Sequence, residues 1–299
     1  MQKIDRAWLD AHPLPDPGRG TDKDGRGRVV LVGGAEFVPG GLRLTGEAVL
    51  RAGAGKLQMA TVAAVATALG VLLPEAAMIA LPADKDGEIA VEGAQRLLDP
   101  VSQADTLIIG PGMSGSETTS QLVAQLLESP RADLTILLDA AAITCAGALQ
   151  STLVRHEGHI VMTPHHGEMA SMTGLHIEEI RSSPVAAALN AARTCNAILV
   201  LKAADTIVAT PDGCLLSYSS ECIGLATGGS GDVLAGIIGG LMARGALPLQ
   251  AAAWGVWTHG EAGKLLASQI APLGFLARDL LEKIPSLLKS DADTRRLSR

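Results

Sequence analysis

Short runs of apolar residues recur along this chain, separated by segments of helical spacing. Val29–Val32 runs into Gly33-Gly34, and Leu57–Thr61, Ala77–Leu81, Thr106–Ile109, Thr135–Leu138, Ile160–Met162 and Ile198–Leu201 repeat the pattern. A run that is apolar throughout, without polar alternation, marks a strand covered on both faces. Between the runs, Leu42–Ala52, Ser116–Leu127 and Val185–Cys195 space their apolar residues as helices do, the first closed by Gly53-Ala54-Gly55. Thr206–Ala209 and Leu215–Tyr218, joined across Pro211-Asp212-Gly213, predict a hairpin. From Gly231 the chain is predominantly helical, to Arg244 and then through Leu249–Ser268 and Leu276–Leu288. Strands alternating with helices predict an α/β fold, a mainly parallel central sheet with helices on both faces. Met1–Gly27 is polar and rich in Pro, Gly and Asp, and reads as an N-terminal arm. No linker or repeat divides the remainder, so 28–299 is expected to be a single domain.

Composition narrows the class. At 299 residues and 47% apolar the chain can bury a large core, and with aromatics at 2% that core is aliphatic. The chain thus lacks stacking platforms for single-stranded nucleic acid. A net charge of −7 and the absence of any Lys/Arg cluster argue against a phosphate backbone as partner. Mean hydropathy of +0.29 raises the question of a membrane. The longest apolar stretch, Val62 to Leu73, is stopped by Pro74-Glu75 and is too short to span one. The opening Met1-Gln2-Lys3-Ile4-Asp5-Arg6 is too polar for a signal peptide, and Cys145, Cys195, Cys214 and Cys222 form no CxxC pair. The expectation is a soluble cytoplasmic protein with reduced thiols.

The polar and glycine-rich punctuation gathers where strands end, which in a parallel sheet is where ligands bind. Gly33–Gly41 follows the first strand, Gly110-Pro111-Gly112 a later one, and then come Asp139, Thr163–Glu168 and Lys202. Each alone could be turn chemistry. Together with Gly228-Gly229-Ser230-Gly231-Asp232 they point to a cleft for a phosphorylated ligand. In that last segment the glycines bring backbone N–H groups close, and the helix start supplies free donors and the positive dipole end. Asp232 in the first turn either caps the helix or serves as a base beside a bound anion. His165 and His166 adjoin each other without a metal-binding spacing. His259 reads as a structural histidine, and Trp254 and Trp257 as one helix face on the core.

These motifs resemble the stand-alone NAD(P)H-hydrate dehydratases of the ribokinase-like superfamily. The resemblance runs from Arg28 to about Leu287. It is carried by Gly33-Gly34…Pro39-Gly40-Gly41, Leu50–Gly55, Ile109–Gly112, Thr163–Glu168, Leu201-Lys202, Ala226–Gly236 and His259–Gly263. It implies a ribokinase-like three-layer α/β/α fold and a repair reaction: dehydration of the S epimer of NAD(P)H hydrate, driven by ADP or ATP with Mg²⁺. The course it implies is phosphorylation of the C6 hydroxyl and then loss of phosphate. It places Asp232 as base at the substrate hydroxyl, Gly41, Gly112 and His165 around the hydrate, and Gly231 with Lys202, Ala203, Ala204, Asp205 and Thr206 at the nucleotide. Glu168 could hold Mg²⁺ through water or simply cap a helix. A homotetramer is implied as well. Met1–Gly27 leaves no room for the epimerase domain of bifunctional relatives, so a separate epimerase is expected.

Against the usual family pattern, Asp139-Ala140-Ala141-Ala142-Ile143-Thr144 lacks a carboxylate at Ala141 and an amide at Thr144. Ala203 stands where glycine is usual, His166 where proline is, and Glu221-Cys222-Ile223-Gly224 replaces a Gly-Asn-Pro-Gly. Two alternatives follow. One is a ribokinase-like kinase that phosphorylates a small alcohol, the other a nucleotide-binding pseudo-enzyme.

Overall fold

The computed structural model describes residues 1–16, 18 and 20–289, and a ten-stranded sheet forms its centre. In chain order the strands are β1 (Gln2–Lys3), β2 (Arg28–Val32), β3 (Lys56–Val62), β4 (Ala77–Leu81) and β5 (Thr106–Ile109). They continue as β6 (Thr135–Leu138), β7 (Ile160–Met162), β8 (Ile198–Leu201), β9 (Asp205–Ala209) and β10 (Leu215–Ser219). Across the sheet the order is β1-β10-β9-β8-β7-β6-β5-β2-β3-β4. The strands from β8 to β4 are parallel to one another, β9 is antiparallel to both its neighbours, and β1 runs parallel to β10. β4 to β8 occupy the expected residues, and the hairpin is β9–β10.

The apolar runs are strands because both faces are covered. Val29 and Leu31 of β2 enter one core while Val30 and Val32 enter the other. The helices Gly40–Arg51, Ser230–Ala243 and Pro248–Gln269 cover the first face. Glu117–Leu126, Ala141–Ala146 and Pro184–Cys195 cover the second. This is the three-layer α/β/α arrangement expected. Among the described residues no helix is long and apolar enough to cross a membrane, and all four cysteines are free thiols.

The first residues do more than an arm would. β1 extends the sheet edge, and Arg6–Ala11 forms a helix whose Trp8 and Leu9, with Ile4, are buried. Trp254 Nε1 donates to the His12 carbonyl at 2.8 Å, which fastens that helix to Pro248–Gln269. A polar composition concealed three apolar anchors. Two other segments differ in detail. Val62–Leu73 divides into the end of β3 and the helix Ala63–Leu72, and Leu276–Leu288 splits into Ala277–Leu281 and Ile284–Leu287.

The chain leaves β2 for β3 and β4, then returns to β2's other side as β5. The loops after β2 and β5 therefore diverge at a topological switch point and open a crevice at the carboxyl edge. Gly34 N–H donates to the Pro111 carbonyl at 2.7 Å, which ties these two loops together.

Candidate active site

The helix Ser230–Ala243 starts at that carboxyl edge. Gly229 stands before it at φ 87°, a left-handed conformation that glycine adopts without strain. The turn aims the helix N-terminus across the sheet, with Asp232 in its first turn. The carboxylate lies against the start of Gly40–Arg51, where a Cβ at Gly41 would stand 3.0 Å from Asp232 Oδ1. The loop that carries Gly41 reaches Gly112 at its other side, where a Cβ would meet the Val38 carbonyl at 2.7 Å. Gly41, Gly112 and Asp232 thus belong to one crevice, that of the switch point.

Beside it lies a cleft of about 830 Å³. Lys202, Ala203, Ala204, Asp205, Thr206 and Gly231 all line it, and His165 lines it too. Gly41, Gly112 and Asp232 lie outside its lining. His165 therefore faces the side of the nucleotide segment, while the other residues assigned to the hydrate sit next door. Lys202 joins the two spaces. A Cβ at Gly231 would stand 3.4 Å from its Nζ.

A charge cluster built on the buried Asp139 fixes that ammonium. Lys202 Nζ lies 2.9 Å from Asp139 Oδ1 and 3.6 Å from Glu168 Oε2. Asp139 follows β6, Lys202 follows β8, and Glu168 sits in the first turn of the helix His166–Thr173 after β7. Parallel pairing of β6, β7 and β8 brings the three to one edge. Thr163 Oγ1 donates to Asp139 Oδ1 at 2.6 Å. Glu168 Oε2 accepts from the His165 backbone N–H at 2.7 Å, and His165 Nδ1 accepts from the N–H groups of Gly167 and Glu168. With Nδ1 occupied as an acceptor, the ring proton is on Nε2.

The cluster sets the ionisation of its neighbours. Burial pushes the Asp232 carboxyl up to about 7, the negative charges of Asp139 and Glu168 add to this, and Lys202 opposes it. Burial alone would lower Lys202, but Asp139 and Glu168 outweigh it and hold the ammonium above its ordinary value. His259 is half-buried in the wall of the cleft, with Nε2 2.9 Å from Ser230 Oγ. Loss of hydration drives it down to about 4, so the ring is neutral where it faces the cleft. Trp254 and Trp257 pack edge to face at 6.0 Å on one helix face.

Two departures from the family pattern have a plain setting. Ala203 is not among the residues with positive φ, so glycine's freedom is not needed there. Ala141 is buried at the start of Ala141–Ala146. Its neighbour Ala140, which matches the family pattern, adopts φ 47°, ψ −121°, a conformation that strains any side chain. In the sequence Asp139 shows only as punctuation at a strand end, and nothing local marks its partnership with Lys202. The two are 63 positions apart, and only sheet order joins them. Among the described residues no group of three or more His, Cys, Asp or Glu side chains could hold a metal ion.

A profile of the NAD(P)H-hydrate dehydratase family matches residues 29–286. The chain is 43% identical over 288 residues to the ADP-dependent (S)-NAD(P)H-hydrate dehydratase of Xanthomonas campestris pv. campestris, covering 96% of each protein. It is 37% identical to the bifunctional NAD(P)H-hydrate repair enzyme Nnr of Moorella thermoacetica and spans 53% of that protein's length. Among solved structures, the ADP/ATP-dependent NAD(P)H-hydrate dehydratase of Bacillus subtilis, co-crystallised with ATP and Mg²⁺, superposes with a TM-score of 0.80. It shares 26% identity and is matched over 96% of this chain and 97% of its own. Ribokinase from Thermotoga maritima, with 13% identity and a TM-score of 0.52, shares the fold alone.

Proposed function

The chain belongs to the NAD(P)H-hydrate dehydratase family, and we propose that it removes water from (6S)-NAD(P)H hydrate at the expense of ADP or ATP. The observation that carries this reading is Asp232. Its carboxylate sits in the first turn of a helix whose opening residues Ser230 and Gly231 line the large cleft, and burial raises its pKa to about 7. A base tuned near neutrality, beside a place for phosphates, suits transfer of a phosphoryl group to a hydroxyl.

In this reading the nucleotide lies in the cleft along Lys202–Thr206 and the Gly231 N–H, and the hydrate enters the crevice between Gly41 and Gly112. Asp232 takes the proton of the C6 hydroxyl as its oxygen attacks the terminal phosphorus, and the bond to the departing AMP or ADP breaks. The Lys202 ammonium offsets the charge that gathers on the phosphoryl oxygens. The ring nitrogen's lone pair then expels phosphate from C6. Loss of the C5 proton restores the C5–C6 double bond of NAD(P)H. Mg²⁺ would accompany the nucleotide phosphates. The nearby carboxylates of Asp139 and Glu168 already face Lys202, so the described residues offer it no cage, and water-mediated contact suits an ion that keeps several waters. When bound it would neutralise phosphate charge. The finer expectations of a cytoplasmic homotetramer served by a separate epimerase, with no nucleic-acid or membrane partner, complete the proposal.

Incubation with the S epimer of NADH hydrate and either nucleotide, followed by the absorbance of regenerated NADH, tests the reading. Turnover with one nucleotide and release of AMP or ADP is expected. A phosphorylated product that accumulates without NADH would make the protein a kinase, and nucleotide binding without turnover a pseudo-enzyme.

A further inference from the structure

One buried group near the crevice has no part in the chemistry above. Asp139 is 2% exposed and held from four directions. Its N–H donates to the Ile109 carbonyl at 3.0 Å, and its own carbonyl packs so tightly on Gly110 that a Cβ there would collide with it. Its carboxylate accepts from Thr163 Oγ1 and pairs with Lys202. The next residue, Ala140, occupies φ 47°, ψ −121° without being glycine. Strain of this kind persists only where the surroundings over-determine it, and it clusters where geometry matters to function.

We propose that Asp139 is a positioning residue, which with Thr163 holds the Lys202 ammonium at the start of Ser230–Ala243, between the nucleotide cleft and Asp232. The inference rests on the dehydratase reading. A lysine has four rotatable bonds, and an unanchored ammonium samples many positions around a phosphate. Anchored by Asp139, it stays next to the Gly231 backbone, where the transferred phosphoryl group passes. The charged groups that act on Asp232 are Asp139 at the end of β6, Lys202 at the end of β8 and Glu168 on His166–Thr173. Gly40–Arg51 presents the Gly41 backbone there. Loss of the Asp139 charge removes one repulsive neighbour from Asp232 and leaves Lys202 freer to approach it. Both effects favour the ionised base.

Asp139→Asn tests this, with NADH hydrate and ADP or ATP as substrates and calorimetry for the nucleotide. Three changes are expected together. Turnover falls about 100-fold, the cost of a catalytic group displaced by about 1 Å. Nucleotide affinity stays within a few-fold of the parent or tightens, because the negative charge that leaves lay behind Lys202 and not in the cleft lining. The acid limb of the pH–rate profile moves down by about one unit. Turnover within threefold of the parent, a weakened nucleotide or an unmoved limb would each overturn the proposal. Thr163→Val carries the test if the Asn variant does not fold. It should lower turnover severalfold with nucleotide affinity intact, and unchanged turnover would overturn the assignment. A parent protein that regenerates no NADH with either nucleotide condemns the dehydratase reading instead, a result independent of the variants.

Discussion

Asp232 is half-buried and has to ionise, and the two demands conflict. Its carboxyl titrates at about 7 in the fold against an ordinary 3.8. As a base it must be unprotonated, so kcat/KM for the hydrate should climb with pH and level off above about 7. Asp232→Asn should bind nucleotide normally while turnover drops by roughly 10²–10⁴-fold; an Asn variant within a few-fold of the parent would remove the base from this residue. The same shift has a stability sign. A folded-state value above the unfolded one means that the protonated form favours the fold, and that stability is lost as pH rises through about 7. The Asn variant should therefore melt above the parent at pH 8, and the gap should close as pH approaches 4. Thermal melts across that range check it. At Ala140, relief of strain by Ala140→Gly should stabilise the fold by about 1 kcal/mol, the difference between the strain removed and glycine's greater chain entropy. Urea unfolding measures it.

Two helices bring the crevice together. Ser230–Ala243 lies on Gly40–Arg51 through glycines, since a Cβ at Gly236 would collide with the Thr45 carbonyl and stand 2.6 Å from Ala48 Cβ. At Gly240 a Cβ would stand 2.5 Å from the Val49 carbonyl. This close approach sets Asp232, at the head of one helix, beside Gly41, at the head of the other. Gly236→Ala should therefore cost about 1–3 kcal/mol, as overpacking does, and lower turnover as well by displacing Asp232. A variant of full activity and parental urea midpoint would show that the helices can part without consequence. Gly231→Val acts at the head of the helix alone. Its β-branched side chain meets the Lys202 ammonium and crowds the phosphates, so ADP and ATP should bind more weakly while hydrate affinity is kept. Calorimetry decides it, and unchanged nucleotide affinity would move the phosphates elsewhere.

At the scale of the molecule, the sheet is closed off at one end by residues that look dispensable. Ile4, Trp8 and Leu9 are buried against helices from the far end of the chain, and β1 pairs with β10, whose Tyr218 lines the large cleft. Burial of three such side chains stabilises by on the order of 5 kcal/mol. Deletion of residues 1–12 should lower the urea midpoint accordingly and disturb the cleft through β10. A truncated protein as stable as the parent would return this segment to the status of an arm.

The order of strands and helices was legible in the sequence, because a strand buried on both faces must be apolar at every position and a surface helix at every third or fourth. Val29–Val32 and Ile198–Leu201 could be little else. The glycine-rich segment before Asp232 was legible too, since close backbone approach to an anion leaves its mark in residue type. Short elements escaped. The helix Arg6–Ala11 has only Trp8 and Leu9 to bury, and Ala63–Leu72 is apolar all round and offers no period. What no local pattern could carry was the pairing of distant residues. Asp139 meets Lys202 because β6, β7 and β8 are neighbours, and Asp232 meets Gly41 because two glycines let their helices touch. Residue type along the chain fixed which groups could do chemistry; the sheet order and the helix contact decided which of them stand within a few ångströms, and so which pKa values move.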